Sequence, residues 1–141
     1  MYELHTTRQI EFADTDMAGI VHFSRFFVFM ETAEHEFLTA LGITVHFDYQ
    51  GRRIGWPRVA ASCQYRSPAR LGDVLDLLVR VKRKGRSSLT WAITIRCGER
   101  LIAEGELSTI CCALDGPTLE PIPIPPFLAD QIEEAPKEVE S

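Results

Sequence analysis

Apolar side chains recur at offsets of three and four residues between positions 25 and 41, which predicts an amphipathic helix over residues 25–41. Ser24 suits the N-cap of this helix because its hydroxyl can accept a hydrogen bond from a free N–H of the first turn. Gly42 suits the position just after the C-terminus, where a left-handed backbone is common. The residues that share the first apolar face are Phe26, Met30, Ala33, Phe37 and Leu41.

A second apolar row makes this helix hydrophobic around much of its circumference. The row consists of Phe27, Val28, Phe29, Leu38 and Ala40. Helices that lie on a protein surface carry a polar face instead. We therefore expect other elements to cover this helix.

Alternation of apolar and polar residues predicts five antiparallel strands, one before the helix and four after it. The alternation is clearest from position 74, where Leu75, Leu77, Val79 and Val81 share one face. The predicted strands cover residues 6–13, 59–66, 74 to the turn at 84–87, 89–97 and 101–114. A helix followed by a meander of strands predicts an α+β fold: a curved antiparallel sheet of about five strands wrapped around one long central helix.

Other stretches lack this alternation. Residues 43–56 have no clear period and are predicted to be a connection. The Pro-rich tail from about 117 to 141 is predicted to be extended chain that cannot pair in a sheet, with a short helix over 127–134. Gly105 interrupts the fifth strand, which predicts either a bulge or a close approach of another backbone.

Length and charge narrow the class of protein. A chain of 141 residues is the usual size of one domain, so 1–141 is predicted to be a single domain. The net charge of −5 argues against nucleic-acid binding, which depends on neutralising phosphates. The sequence has no signal peptide pattern or membrane span, which predicts a cytoplasmic protein whose four cysteines stay reduced.

Two motifs carry the chemistry. Residues 11–23 read Glu-Phe-Ala-Asp-Thr-Asp-Met-Ala-Gly-Ile-Val-His-Phe, and residues 65–73 read Tyr-Arg-Ser-Pro-Ala-Arg-Leu-Gly-Asp. Together with the order of elements, they resemble the hotdog-fold acyl-CoA thioesterases of the 4-hydroxybenzoyl-CoA thioesterase type, including the Tol-Pal-linked bacterial members. The resemblance implies hydrolysis of an acyl-CoA thioester to a free acid and coenzyme A.

The same resemblance assigns roles within the first motif. It implies that Asp16 is the catalytic carboxylate, as base or as nucleophile, and that the backbone N–H of Phe23 polarises the thioester carbonyl. Gly19 would let the backbone turn and approach the substrate. The chemistry is reasonable, because a carboxylate can activate water and a helix N-terminus offers unpaired donors to an oxyanion. No metal or cofactor is implied, since coenzyme A is part of the substrate.

Substrate binding and assembly are also implied by the resemblance. The basic hairpin would contact the phosphates of coenzyme A, and residues before and at the start of the second strand would line the acyl pocket. Homodimers or homotetramers with active sites at the subunit interface are expected. The hairpin residues are Lys82, Arg83, Lys84 and Arg86, and the pocket residues are Trp56, Pro57 and Val59.

Other polar residues in and after the first motif have interpretations that involve no catalysis. Asp14 is interpreted as a residue that stabilises the loop through backbone hydrogen bonds. His22 is interpreted as a loop histidine near the mouth of the site. Glu31 and His35 are four residues apart and could share a metal, but two ligands are too few and a surface pair is the ordinary explanation.

Three other functions are weighed. A non-catalytic module that binds acyl-CoA or acyl-carrier protein would keep the pocket without using Asp16. A hotdog dehydratase would need a differently spaced aspartate and histidine pair. A serine hydrolase is disfavoured because no Gly-x-Ser-x-Gly elbow occurs.

Overall fold

The computed structural model describes residues 1–137, and the last four residues of the predicted tail lie outside this range. It contains two α-helices, nine strands and a short 3₁₀ turn over Phe12–Asp14 within those residues. The strands are β1 (Glu3–Gln9), β2 (Phe47–Tyr49), β3 (Arg52–Gly55), β4 (Arg58–Tyr65), β5 (Val74–Lys84), β6 (Ser88–Cys97), β7 (Arg100–Ile110), β8 (Cys112–Ala113) and β9 (Glu120–Pro121). The helices are α1 (Arg25–Ala40) and α2 (Pro126–Ala129).

A five-stranded antiparallel sheet forms the main layer, in the order β1-β5-β6-β7-β4. The alternation in the sequence has its cause here, because every second residue of the inner strands β5 and β6 enters the core. Leu77 and Val79 of β5 and Ile95 of β6 are at most 1% exposed. The apolar face of α1 packs against this side of the sheet. The main sheet therefore follows from the period-two pattern.

Helix α1 matches its prediction closely, but its ends differ from one another. At the C-terminus Gly42 has φ +90°, its N–H donates to the Thr39 carbonyl, and the N–H of Ile43 donates to the Leu38 carbonyl. These two bonds form a Schellman motif. At the N-terminus the prediction for Ser24 is wrong: it has helical backbone angles and its side chain makes no cap bond.

The second apolar row of α1 is only partly covered. Phe29 and Leu38 are 1% exposed, whereas Val28 is 36% exposed and Ala40 is also exposed. The expectation that the fold of this chain covers the whole helix is therefore met on one side only.

Several boundaries predicted from the sequence are wrong. The first strand ends at Gln9 and not at residue 13, because Glu11 leads into the 3₁₀ turn. The stretch 101–114 is two strands, because the N–H of Cys111 donates to the Ser87 carbonyl between β7 and β8. The short helix α2 ends at Ala129 and not at residue 134.

A second, smaller sheet was not predicted. Its strands pair in the order β2-β3-β8-β9, so the predicted connection 43–56 contains a hairpin. The tail also pairs, against prediction, since Cys112 lies opposite Pro121 and Ala113 opposite Glu120. Proline is tolerated in this strand because β9 lies at the edge of its sheet, where a ladder donor is not required. Within residues 1–137, no helix is long and apolar enough to cross a membrane.

Candidate active site

The loop between β1 and α1 is built around Asp14. This carboxylate is 1% exposed, and its Oδ2 accepts a hydrogen bond of 2.9 Å from the N–H of Glu11. Its Oδ1 lies 2.9 Å from both Nε and Nη2 of Arg25, and the guanidinium of Arg8 is 3.7 Å away. Asp14 thus ties the loop to the first turn of α1, as expected of a residue that stabilises the loop.

Backbone bonds close the rest of the loop. The N–H of His22 donates to the Asp14 carbonyl at 2.8 Å, and Thr15 and Val21 face each other as an isolated β-bridge. The N–H of Asp16 donates to the Ile20 carbonyl at 2.9 Å. The loop is therefore a small closed ring that presents Asp16 at its tip.

Asp16 is half-buried, and its two carboxylate oxygens differ. Oδ1 accepts the N–H of Ala18 at 2.9 Å, while Oδ2 has no hydrogen-bond partner within residues 1–137. Gly19 closes the turn by donating its N–H to the Asp16 carbonyl, with φ +78°. An L-residue other than glycine rarely adopts this conformation. The geometry leaves one carboxylate oxygen free to meet a water molecule or a substrate.

An open depression of about 500 Å³ surrounds Asp16 and Gly19. Its rim is apolar and exposed: Phe12 is 79% exposed, Met17 is fully exposed and Leu71 is 57% exposed. Phe23 is not among its lining residues. The structure therefore brings Asp16 and Gly19 together in one cavity and leaves Phe23 beside it, at the other end of the loop.

The start of α1 holds an unpaired donor. The backbone N–H of Phe23, which lies two residues before the first residue of α1, has no hydrogen-bond partner among the described residues. The His22 ring stacks on the Phe23 ring at 4.5 Å, and its Nδ1 lies 3.3 Å from the Ser24 N–H, a capping contact by histidine. His22 therefore contacts both the hydroxyl and the N–H of Ser24, the residue that precedes α1.

Sequence reasoning missed Tyr65 as an individual residue, although it opens the second motif. From the end of β4 its hydroxyl donates a 3.0 Å hydrogen bond to the Phe23 carbonyl, and its ring packs on Phe26 at 5.5 Å. A tyrosine at the end of a strand is also an ordinary edge residue, so the local pattern could not have identified this contact.

The predicted acyl-pocket residues are divided between two places. Trp56 and Pro57 line a second cavity of about 420 Å³, between α1 and the chain before β4. The indole N–H of Trp56 is buried without a partner in the described chain. Val59 does not line this cavity and is 58% exposed on β4, at the edge of the main sheet.

Charged residues form the wall of the second cavity. Glu34 is 2% exposed and accepts a 2.8 Å hydrogen bond from Arg58. Burial raises the pKa of Glu34, although Arg58 acts in the opposite direction. Burial also lowers the pKa of His35, which lies 3.7 Å from Glu31. Glu31 and His35 lie one helical turn apart and form the pair predicted for them.

The basic hairpin has two kinds of residue. Lys82 forms an ion pair with Glu106, and Lys84 donates to the carbonyls of Ala129, the last residue of α2, and of Ile132. Arg83 and Arg86 are exposed, and their side chains have no partner among residues 1–137. Only these two arginines therefore remain available for an anionic ligand without breaking an existing contact.

Comparison with known proteins agrees with this architecture. The profile of the Thioesterase superfamily matches residues 18–104. A 1,4-dihydroxy-2-naphthoyl-CoA hydrolase from Synechococcus sp. (strain CC9605) is 31% identical over 107 residues, which cover 72% of this chain and 72% of the relative. The corresponding hydrolase of Thermosynechococcus vestitus is 29% identical over 93% of this chain and 89% of its own length.

Solved structures show the same fold. A 1,4-dihydroxy-2-naphthoyl-CoA thioesterase from Synechocystis superposes with a TM-score of 0.78 at 26% identity, covering 89% of this chain and 91% of that one. A gentisyl-coenzyme A thioesterase superposes with a TM-score of 0.77 at 26% identity, covering 89% of this chain and 99% of that one.

Proposed function

The chain belongs to the Thioesterase superfamily and is a thioester hydrolase, and from this premise we propose that it hydrolyses aromatic acyl-CoA thioesters whose acyl group carries hydroxyls. The observation that carries the proposal is the arrangement of the loop: a carboxylate oxygen of Asp16 without a protein partner, close in sequence to an unpaired N–H at the start of a helix. The substrate class is taken from the relatives, which act on dihydroxynaphthoyl and gentisyl thioesters.

In the proposed reaction, Asp16 takes a proton from a water molecule as the oxygen of that water attacks the thioester carbon. The N–H of Phe23 stabilises the negative charge that develops on the carbonyl oxygen. The tetrahedral intermediate then collapses, the C–S bond breaks, and coenzyme A leaves as a thiolate. A thiol has a pKa of about 8.5, so this leaving group needs no strong general acid.

Asp16 could instead attack the carbonyl carbon directly and form a mixed anhydride, which water then hydrolyses. The two routes place the carboxylate in the same position. They differ in a single turnover in water labelled with ¹⁸O, because only the anhydride route can leave the label in the side chain of Asp16. No metal or cofactor takes part in either route.

The site is proposed to be completed by a second copy of the chain. Edge strand β4 pairs only with β7, and residues 59–64 carry no charge that would discourage pairing at its free side. Antiparallel pairing of two β4 strands would bring the partner subunit's Trp56 beside Tyr65, and hence beside Phe23. Residues from both subunits would then line the site.

Binding of coenzyme A is proposed to involve the hairpin between β5 and β6. Arg83 and Arg86 suit the phosphates because a guanidinium offers several donors in one plane. Lys82 and Lys84 would contribute to the local charge while keeping their present partners. We also propose that the protein works in the cytoplasm, where its free cysteines remain reduced.

The test is thiol release from a panel of aromatic, short-chain and long-chain acyl-CoAs, measured on the wild type and on Asp16→Asn. We expect turnover to be fastest with hydroxylated aromatic thioesters and to fall by at least about 100-fold in Asp16→Asn, which removes the base at nearly constant shape. Asp48→Asn is the matched control, because Asp48 is an exposed aspartate on β2.

The alternatives give different results in the same assay. Near-normal turnover of Asp16→Asn would exclude Asp16 as the essential carboxylate. Binding of acyl-CoA by the wild type without turnover of any thioester would favour the non-catalytic binding module. Preference for a long aliphatic chain would contradict the proposed substrate class.

A further inference from the structure

Tyr65 is a residue to which the proposed reaction gives no role, yet it contacts the proposed oxyanion site. We propose that its hydroxyl is a positioning group: by donating to the Phe23 carbonyl, it holds the first turn of α1 so that the Phe23 N–H meets the thioester oxygen. This inference rests on the proposed function. It adds a residue from the far end of the main sheet to a site otherwise made by one loop and one helix.

Tyr65 is 46% exposed, but one side of its ring packs against the core. The ring lies edge-on to Phe26 with 5.5 Å between centroids, and Phe26 is only 4% exposed. The backbone of Tyr65 is held in β4 opposite Ala103 of β7. The hydroxyl therefore reaches the helix from a rigid support, which is what a positioning group requires.

The residue that it holds has little else to fix it. The side chain of Phe23 is 62% exposed, so core packing does not restrain it. The bonds of its neighbours do not involve Phe23 itself: the His22 N–H donates to the Asp14 carbonyl, the Arg25 N–H donates to the His22 carbonyl, and the Arg25 side chain binds Asp14. Helix ends fray readily. Among the described residues, the Tyr65 hydroxyl is the hydrogen bond that ties Phe23 to the sheet.

The direction of this hydrogen bond suits the role. A carbonyl can only accept, so the hydroxyl must donate its proton to Phe23. Burial raises the pKa of Tyr65, and the neighbouring Cys63 acts in the same direction, which keeps the hydroxyl protonated in neutral and mildly alkaline buffers. An oxyanion donor gains most when it is already oriented, because no reorganisation is then needed in the transition state.

The first experiment compares steady-state kinetics of the wild-type homo-oligomer and Tyr65→Phe, with hydroxylated aromatic acyl-CoA as substrate. The variant keeps the ring and its contact with Phe26, so we expect a similar thermal midpoint. We expect kcat to fall about tenfold while KM changes less than twofold, because the lost interaction acts in the transition state. Tyr49→Phe is the matched control, because it also removes one tyrosine hydroxyl while the ring of Tyr49 contacts Phe127 of α2 and not Phe26.

The second experiment observes the oxyanion site directly. Asp16→Asn should bind a thioester labelled with ¹³C at its carbonyl without cleaving it, and isotope-edited vibrational spectroscopy then reports the carbonyl stretch. A hydrogen bond to the carbonyl lowers this frequency. We expect the downshift on binding to be at least halved in Asp16→Asn/Tyr65→Phe and retained in Asp16→Asn/Tyr49→Phe.

The outcomes separate this inference from the proposed function. An active wild type whose kcat and carbonyl frequency are unchanged by Tyr65→Phe would overturn the inference and leave the function intact. A fall in kcat that is accompanied by a lower thermal midpoint, with an unchanged carbonyl frequency, would also overturn the inference. The contact of Tyr65 would then be purely structural. A wild type that turns over no thioester would contradict the proposed function, and the inference with it.

Phe26→Leu gives an independent variant if Tyr65→Phe impairs folding. It keeps the hydroxyl but removes the aromatic edge that anchors the ring. We expect a smaller fall in kcat and a partial loss of the carbonyl downshift. An unchanged downshift in this variant, in the Asp16→Asn background, would contradict the inference.

Discussion

Asp14 and Asp16 are two residues apart in one loop, but their surroundings differ. Asp14 is 1% exposed, and backbone and guanidinium donors from Glu11 and Arg25 surround it. Asp16 is half-buried and keeps one oxygen free of protein donors within the described chain. A carboxylate whose lone pairs are already occupied cannot readily take a proton from water. The environment, and not the residue type, therefore favours Asp16 as the reactive group.

The buried carboxyl group of Glu34 is expected to make the stability of the protein depend on pH. Because burial raises its pKa in the folded state, the folded protein holds the proton of Glu34 more tightly than the unfolded chain does. Its contribution to the free energy of unfolding is complete below the unfolded pKa of about 4.5 and is lost as pH rises through the folded pKa. We expect Glu34→Gln, which stays neutral and can still accept from Arg58, to lose this dependence.

The measurement is denaturant unfolding between pH 4 and pH 7 at fixed protein concentration. Each unit of pKa difference corresponds to about 1.4 kcal/mol, so the stability of Glu34→Gln relative to the wild type should increase with pH across this window. Glu36→Gln is the control, because Glu36 is exposed on the same helix. A relative stability of Glu34→Gln that stays constant with pH would contradict the prediction.

At the scale of elements, the close contact between α1 and the main sheet depends on a glycine, which has no side chain, in strand β7. Gly105 of β7 lies beneath Met30 of α1, and a Cβ built on it would overlap the Met30 thioether and lie 2.9 Å from the Ser62 carbonyl. The sequence left a bulge and a close approach as alternatives. The register of β6 and β7 runs unbroken through Gly105, so close approach is the correct one.

We expect Gly105→Ala to destabilise the fold. Met30 is flexible and could move, but the Ser62 carbonyl belongs to the backbone of β4, so the two strands must shift. Overpacking of this kind costs about 1–3 kcal/mol. Urea unfolding measures the loss. Gly116→Ala is the matched control, because its Cβ would meet the Thr118 carbonyl at an ordinary 3.6 Å. Equal stability of the two variants would contradict the expected overlap.

At the scale of the whole molecule, the two edges of the main sheet differ. Edge strand β1 carries Glu3, His5 and Arg8, whose charges or polarity discourage pairing with another strand. Edge strand β4 is uncharged from residue 59 to 64. Tyr65, at the end of β4, contacts the end of the loop that contains Asp16 through its hydrogen bond to the Phe23 carbonyl. An oligomer formed at this edge would cover apolar surface and enclose the site in one step.

Ala61→Lys tests this arrangement. In an antiparallel pair of β4 strands, the substitution would place two like charges close to the twofold axis, which is destabilising. We expect the variant to be a monomer by sedimentation velocity at micromolar concentration and to lose most thioesterase activity. Thr7→Lys on the opposite edge is the matched control and should keep both the assembly and the activity. An active dimer of Ala61→Lys would exclude β4 as the pairing edge.

The local sequence determined the elements that a simple period encodes. The positions of α1, β5 and β6 followed from periods of 3.6 and 2, because burial of one face imposes those repeats on the chain itself. The loop of residues 11–23 was recognisable by its resemblance to a known family, because its motif is contiguous in the sequence. The role of Gly42 was predictable because the residue after a helix end commonly has a left-handed backbone, which glycine adopts most readily.

Tertiary structure alone decided the contacts between residues far apart in the chain. The Tyr65 hydroxyl meets the Phe23 carbonyl across 42 positions, and Arg58 meets Glu34 across 24. The small sheet escaped prediction because strands of two to four residues are too short to show a period. A hydrogen bond between distant residues depends on how helix and sheet pack, and a local pattern of polarity carries no record of that packing.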